Sequence, residues 1–187
     1  MKKFARKKLE ELSFKAKNSF VITFGIQSLA LQLQLLIAQI SFIEEQISQL
    51  DTKIADLLKR LNSPITTIPG VGTVLGATIL SEIGDITRFA TPAKLVAFAG
   101  IDSKLDQSGT SQDSVGKMTK RGSPYLRTAL FRAALVASNI DPVFKAFYQK
   151  KRSEGKHHLT CIGAVVRKLC YTVHAILSKN SPYKILP

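Results

Sequence analysis

The chain has 187 residues, with 27 Lys plus Arg against 13 Asp plus Glu and a formal net charge of +14 at pH 7. That length suits one moderate domain with an accessory element and is short for two full catalytic domains, while the positive charge favours a polyanionic partner, nucleic acid first. The two cysteines exclude a disulfide scaffold and are typical of a cytoplasmic protein.

A basic amino-terminal segment is followed by a run without charged residues over 18–43. This run is long enough to span a bilayer, but glutamines interrupt it, and its apolar residues belong to a stripe that continues to Leu61. The stripe alternates in steps of four and three residues, which is the heptad of a coiled coil. Its two series are Ile26, Leu33, Ile40, Ile47, Ile54 and Leu61, and Ile22, Leu29, Leu36, Ile43, Leu50 and Leu57.

The register of the stripe continues through the charged residues beyond Ile43. A soluble helix that pairs along a narrow seam keeps such a register, whereas a membrane span has no reason to. We therefore predict a coiled-coil helix over 22–61 through which the chain self-associates, and no membrane partner. Two alternatives stay open: a helix that packs against its own domain, and a membrane anchor over 20–43.

Asn62, Ser63 and Pro64 end this helix, because proline cannot continue the hydrogen-bond ladder and moves its predecessor out of the helical region. The predicted domain boundary falls there, between a segment 1–63 and a domain 64–187. In the domain, short apolar helices alternate with Gly, Pro and Ser clusters, and no alternating strand of convincing length occurs. The predicted helices are 74–83, 92–98, 124–138, 142–151 and 159–177.

A polar stretch over 100–122 separates two of these helices and is predicted to be an extended loop. The predicted fold class is therefore mainly α, with a long coiled-coil helix followed by a compact, helical DNA-binding domain that carries one long polar loop. The basic helices of this domain lie over 123–178.

The first motif of the domain is ITTIPGVGTVLGATILSEIGD, over 65–85. Gly70 and Gly72 can take positive φ in a tight turn and leave backbone amides exposed at the start of the next helix, where an anion is stabilised. The pattern resembles a helix-hairpin-helix, which binds backbone phosphates without reading sequence. The alternative is an ordinary connection between two helices.

The second motif, QSGTSQDSVGKMTKRGSPYLRTALFRAA over 107–134, places Ser108 beside Gly109 in the polar loop and ahead of a cluster of cations. A hydroxyl that attacks a phosphodiester needs cations to neutralise the nonbridging oxygens and space for the backbone to approach. By residue type alone Ser108 is not distinguished from the other serines of the loop. The cations predicted to bind nucleic acid are Lys117, Lys120, Arg121 and Arg127.

Basic residues continue beyond this motif to Lys168, opposed by Asp141 and Glu154, so a phosphate-binding face is expected over 117–168. The aromatic side chains among them are spaced as a helix core and are interpreted as core residues rather than base-stacking platforms. They are Phe144, Phe147 and Tyr148. His157 and Cys161 could share a helical face, but the histidines do not match a zinc-site spacing, so no metal site is predicted in this chain and both cysteines are predicted to be buried.

Four motifs together resemble the carboxyl-terminal domain of the insertion-sequence 110/116/902 family of transposases. They are IPGVGTVLGATILSEIGDITRFATPAKLVAFAGI, then QSG, then TKRGSPYLRTALFRAA, and last the Asp141-Pro142 turn leading to YQKKRSEGKHH and AVVRKL. Their order and spacing agree over nearly all of 64–177, and the family also carries a coiled coil at the position of the heptads.

The resemblance implies a DNA recombinase whose QSG serine, here Ser108, attacks the DNA backbone and becomes covalently linked to it. It also implies a bridge RNA as a partner, and a separate amino-terminal domain whose acidic tetrad binds Mg²⁺. The resemblance further implies a DNA-binding protein of the prokaryotic cytoplasm that associates with the nucleoid. No position of this sequence matches the acidic tetrad, so we expect this chain alone to have no competence for transposition. The alternative is a non-enzymatic nucleic-acid-binding or architectural protein.

Overall fold

The computed structural model describes residues 2–17, 25–102 and 118–185. These residues form seven α-helices and two 3₁₀ helices, the latter at Pro64–Thr67 and Ile86–Arg88. The α-helices are α1 (Lys2–Lys17), α2 (Ile26–Leu61), α3 (Thr73–Ile83), α4 (Pro92–Phe98), α5 (Pro124–Ile140), α6 (Pro142–Ser153) and α7 (His158–Lys179). Among the described residues the only strand-like feature is an isolated bridge at Met118, so the predicted mainly α class is confirmed.

The five helices predicted for the domain are all present, and their ends differ from the predicted ends by at most two residues. Pro92, Pro124 and Pro142 each stand in the first turn of a helix, where the missing N–H costs nothing and the fixed φ suits the helix. Ser123 and Asp141 cap two of these helices with side-chain oxygens. The helix starts are therefore encoded locally, which is why a pattern of turn residues finds them.

The chain divides into two compact units, Met1–Gln49 and Leu50–Pro187. The first unit contains α1, which the sequence analysis did not predict as a helix, and the first part of α2. Glu11 forms ion pairs in α1 with Lys8 and Lys15, at 3.6 and 2.8 Å, which are the spacings that support a helix. The predicted boundary at residue 63 coincides with the end of α2, whereas the division between the units falls inside α2.

The long helix α2 has no buried residue in the single chain. Its seam positions are exposed from Leu29 to Leu50, including Leu36 at 48% and Ile40 at 58%. The helix ends as predicted: Asn62 takes a left-handed φ of 45°, and the Ser63 hydroxyl accepts a hydrogen bond from Ile65 N before Pro64 starts the 3₁₀ turn. The single chain thus leaves the heptad stripe uncovered from Leu29 to Leu50, whereas Ile54 is half-buried, and pairing with a partner helix stays a prediction.

The core of the second unit is built around α5 and α7, which pack against each other. Helices α3 and α6 also contact α5, and α4 and α6 contact α7. Ala129, Ala133 and Ala137 of α5 are fully or almost fully buried, and such small side chains allow neighbouring backbones to approach closely. Cys161 and Cys170 of α7 are both buried, as predicted, and burial raises the pKa of the Cys170 thiol to about 12.

A polar contact fastens the carboxyl-terminal segment to this core. Asp141 is 2% exposed, and its two carboxylate oxygens accept hydrogen bonds from Phe144 N at 2.9 Å and from the Tyr183 hydroxyl at 3.1 Å. Tyr183 N donates to the Thr67 hydroxyl at 2.8 Å, and the Tyr183 ring stacks on buried Phe144. Burial, followed by the nearby Asp141 charge, raises the pKa of Tyr183 to about 12.

The aromatic residues of α6 confirm the core interpretation. Phe144 is 1% exposed, and Phe147 and Tyr148 are half-buried against the hydrophobic core. Within the described ranges, α2 and α7 have the length and apolar composition that a membrane span requires. For α7 this composition is explained by its position, because its apolar side chains form the centre of the core of the second unit.

Candidate nucleic-acid interface

Gly70 lies in a tight turn that packs directly on α5. Val71 N donates to Ile68 O at 3.0 Å, and Gly70 has a φ of +83°, as in a type II turn with Pro69 at its second position. A Cβ at Gly70 would collide with the Ala133 carbonyl oxygen and would lie 3.0 Å from Ala137 N. The positive φ predicted for Gly70 is confirmed, and the close packing of the turn on α5 is the reason for the glycine.

Gly72 does not share this conformation. Its φ is −81° and its ψ is −177°, an extended geometry that any residue adopts, so the predicted positive φ is wrong at this position. Gly72 is the exposed N-cap of α3, with no side-chain cap, and the first helical bond runs from Gly76 N to Gly72 O. The earlier amides of α3 therefore have no partner within the helix, and no acidic residue stands in its first turn.

The polar loop begins and ends at a compact structure that we call the loop base, residues 98–102 and 118–123. Three backbone hydrogen bonds join its two sides: Thr119 N to Asp102 O, Lys120 N to Gly100 O, and Ser123 N to Phe98 O, at 2.8 to 3.1 Å. Gly100 and Gly122 have positive φ, and a Cβ at either would collide with backbone atoms of the opposite side. The two sides are therefore closer than residues with side chains would permit.

Side chains from three helices hold the loop base together. Arg127 Nη1 of α5 donates to Ala99 O at 3.0 Å and to Lys120 O at 3.4 Å, which joins the two sides. Arg167 Nη2 of α7 pairs with Asp102 Oδ1 at 3.0 Å.

The Ser123 hydroxyl, which accepts from Leu126 N at the start of α5, donates to Glu82 Oε2 of α3 at 2.6 Å. The sequence analysis gave no role to Glu82 or Asp102, because their partners lie 41 and 65 residues away along the chain.

The predicted site residues that the structure describes therefore fall into two separate groups. Lys120 and Arg121 are exposed at the loop base, and Arg127 is half-buried beneath it. Gly70 and Gly72 lie at the opposite end of α3, whose 11 residues make a helix about 16 Å long. Ser108 and Lys117 lie outside the described residues. Two patches that could each meet a backbone phosphate thus stand about one helix length apart.

Further cations belong to α6, α7 and their connection, but several are already engaged. Lys151 and Lys156 pair with Glu154 at 2.9 and 2.8 Å, and their hydrogen bonds, that of Lys156 foremost, lower the pKa of Glu154 to about 2. Lys168 Nζ lies 4.9 Å from the ring centre of Phe147. The positive surface around Glu154 is therefore weaker than a count of its cations suggests.

Metal-binding side chains do not gather in the described part of the chain, where no three His, Cys, Asp or Glu residues come together. His157 instead caps α7, accepting from Leu159 N, and Cys161 Sγ faces the Lys156 carbonyl at 3.6 Å. His158 Nδ1 lies 2.7 Å from the Tyr148 hydroxyl. The residues described here do not fit a Mg²⁺ site.

Comparison with known families gives a match to the model of the transposase IS116/IS110/IS902 family over residues 62–149. This range begins at the end of α2 and includes the Gly70 turn, the loop base, all of α5 and most of α6. The chain belongs to this transposase family. The residues that hold the loop base together in the structure, apart from Arg167, therefore lie within the part that matches the family.

Relatives of this transposase family extend the likeness. The chain is 28% identical over 185 residues to the "Insertion element IS110 uncharacterized 43.6 kDa protein" of Streptomyces coelicolor. The aligned region covers 97% of this chain and 45% of that protein. It is 32% identical over 146 residues to the "Pilin gene-inverting protein" of Moraxella bovis, covering 74% of this chain and 45% of the relative. The chain spans less than half the length of these relatives.

Proposed function

We propose that this chain is the DNA-binding part of a transposase that acts in DNA transposition and recombination, with Ser108 as its nucleophile. The observation that carries the proposal is the loop base: three elements of the core clamp both ends of the polar loop, and Lys120 and Arg121 stand exposed beside it. A nucleophile used on a DNA backbone needs a rigid support and nearby cations. Membership of the transposase family supports this use of the loop.

In the proposed step, the Ser108 oxygen forms a bond to a backbone phosphorus, and the bond from that phosphorus to one deoxyribose oxygen breaks. The serine proton leaves to a base and the departing deoxyribose oxygen takes up a proton, so the product is a protein-linked DNA end and a free hydroxyl. Lys117, Lys120 and Arg121 would neutralise the phosphate oxygens. Because the described residues do not fit Mg²⁺, we assign the metal to the acidic amino-terminal domain that the family resemblance implies.

The turn at Gly70 and the start of α3 supply a second contact in this proposal. The uncapped amides after Gly72 would bind a backbone phosphate in the manner of a helix-hairpin-helix. Such a contact positions the duplex without specifying sequence. Because this contact and the loop base are separated by about the length of α3, together they would hold the DNA at two points along its backbone.

The remaining parts of the proposal concern partners. The exposed seam of α2 would pair with a second copy of the chain as a coiled coil. A bridge RNA would bind the basic surface, and the protein would act in the cytoplasm at the nucleoid. The net charge of +14 supports both nucleic-acid contacts.

The test uses end-labelled DNA that carries the ends of the mobile element, with bridge RNA and Mg²⁺, and a denaturing gel that retains only covalent protein–DNA species. We expect a labelled band when the chain is mixed with a full-length family member whose own nucleophilic serine is replaced. The band should disappear when this chain carries Ser108→Ala, while salt-sensitive DNA binding persists.

Other outcomes separate the parts of the proposal. A band from the chain alone would overturn the need for a second domain in trans and keep Ser108 as the nucleophile. Binding with no band in any mixture would favour a non-enzymatic DNA-binding protein. Absence of DNA binding would contradict the proposal as a whole.

A further inference from the structure

An open groove runs between α6 and α7 and ends at the loop base. Its volume is about 660 Å³, within the range of roughly 300–1,000 Å³ typical of pockets for drug-sized ligands. The proposed chemistry at Ser108 and at the α3 turn does not use it. Most of its described lining comes from α7, and Phe147 of α6 and Ile101 and Met118 of the loop base complete it.

The floor of the groove is a stripe of α7 residues at four-residue spacing. Leu159 and Tyr171 stand at its ends and are 64% and 46% exposed, although both are large apolar or aromatic side chains. Between them Gly163 leaves space, since a Cβ placed there would meet no heavy atom within 4 Å. The groove therefore offers an apolar surface with an aromatic ring at one end, which is the surface that the face of a nucleobase stacks on.

Two cations line the groove: Arg167 belongs to the same four-residue series of α7, and Lys168 follows it in sequence. Lys168 Nζ is held 4.9 Å from the ring centre of Phe147, which places a positive charge on the groove wall. Arg167 Nη2 donates a hydrogen bond to Asp102 Oδ1, and because a guanidinium has five N–H donors, others stay available for a second acceptor. Among the residues that the structure describes, no acidic side chain belongs to the lining. A ligand that fits needs a flat apolar part and an adjacent negative charge.

We propose that this groove binds an unpaired DNA nucleotide, with the base on the floor between Leu159 and Tyr171 and its phosphate at Arg167 and Lys168. A base stacked inside a duplex cannot present its face to a protein, so the occupant is single-stranded. The charge of the chain and its family membership favour DNA over an acidic peptide. Because Ile101 and Met118 of the loop base line the groove, a strand held there would lie next to the two ends of the segment that carries Ser108.

This inference rests on the proposed function, because it names the state of the DNA that the same domain handles. It differs in its residues: the described residues that line the groove include none from the start of α3, and Lys120 and Arg121 are not among them. Variants of the groove should therefore change the binding of single strands without changing the binding of duplex DNA by the other two patches.

The test measures fluorescence anisotropy of a labelled oligothymidine of about 10 nucleotides, a duplex and an oligouridine of equal length, at one stated salt concentration, with the full chain. Gly163→Leu places a side chain in the open space above Gly163 and should weaken oligothymidine binding about tenfold, with duplex binding unchanged. Tyr171→Ala should act in the same direction, and Tyr171→Phe, which keeps the ring, should bind as the wild type does.

The matched control is Ala175→Leu, which adds the same side chain to an exposed alanine of the same helix outside the groove. Replacing a mid-helix glycine does not lower helix propensity, so Gly163→Leu should unfold at or above the wild-type temperature. Unchanged oligothymidine binding in Gly163→Leu would overturn the inference, as would an equal loss for the duplex. Tenfold tighter binding of oligouridine would reassign the groove to RNA. Failure of the wild type to bind duplex contradicts the proposed function and leaves the groove variants to be judged on single strands.

Discussion

Arg127 shows how a cation predicted to bind nucleic acid can be needed first for the fold. Its Nη1 atom donates to carbonyl oxygens on both sides of the loop base, Ala99 O and Lys120 O. The sequence placed it correctly among the basic residues, but a hydrogen bond to a residue 28 positions away leaves no periodic signal. The charge of a residue can be predicted from sequence, whereas its partner depends on the tertiary fold.

Replacing Arg127 by Ala should destabilise the second unit by about 1–2 kcal/mol, because two carbonyl groups lose a donor. Arg127→Lys should be destabilising as well, since one ammonium cannot reproduce the fixed geometry of the guanidinium. Chemical denaturation of each variant measures the change in unfolding free energy. Arg132→Ala, an exposed cation of the same helix, is the control and should stay within about 0.5 kcal/mol of wild type. An equal loss of unfolding free energy in both alanine variants would contradict the role of Arg127 in holding the loop base together.

Gly70 and Gly72 should respond differently to substitution. The sequence pattern predicts the same backbone conformation for both, whereas only Gly70 has a positive φ in the structure. A methyl group at Gly70 would meet the α5 backbone, and the residue has positive φ, so Gly70→Ala should cost more than about 2 kcal/mol. Gly72 has an ordinary φ and open space around it, so Gly72→Ala should cost at most about 1 kcal/mol as a change of N-cap. Thermal unfolding of the two variants decides, and similar costs would contradict the assigned packing.

At the scale of elements, the start of α3 allows folding and DNA binding to be separated. Val74 is 48% exposed in the first turn of α3. The negative charge of a glutamate there interacts favourably with the helix dipole, so the free energy of unfolding should be equal or higher. The same charge would repel a phosphate bound at the uncapped amides. We expect Val74→Glu to weaken duplex binding about tenfold, measured at fixed ionic strength.

The matched control for that prediction is Ala93→Glu. Ala93 occupies the same position relative to its helix start in α4, is exposed, and lies outside the proposed contacts. Both variants lower the net charge of the chain equally, so general electrostatics cancel between them. If both lose affinity to the same extent, the loss comes from net charge alone, and the start of α3 is not a phosphate site.

The elements themselves were largely predictable, and the reason is local. Pro92, Pro124 and Pro142 mark helix starts by covalent geometry, and Pro64 marks the end of α2. The loop base and the α6–α7 groove were not predictable, because each combines segments far apart in sequence, such as Ile101 and Tyr171. Sequence patterns thus predict candidate site residues without showing what holds the loop base together.

At the scale of the whole molecule, α2 exposes large apolar side chains that a partner surface would bury. The seam carries exposed Leu36 and Ile43, yet other apolar side chains, such as Leu35 and Phe42, are exposed on the same helix outside the seam. A coiled coil buries the seam and leaves the others at its margin, whereas a membrane or a larger bundle covers the helix all round. The two arrangements can be distinguished by where a charge is tolerated.

We expect the wild-type chain to sediment as an oligomer, and Leu36→Asp to shift it toward monomer at equal concentration, because the carboxylate would be buried at the helix pair. Leu35→Asp introduces the same charge one residue away, outside the seam, and should leave the oligomer intact. Analytical ultracentrifugation over a range of concentrations measures both.

If Leu35→Asp dissociates the oligomer as strongly, the helix is covered on more than one side, and the heptad stripe is not a two-helix seam. If the wild type is a monomer throughout, the stripe does not mediate self-association, and any pairing of transposase copies must come from the second unit or from the DNA.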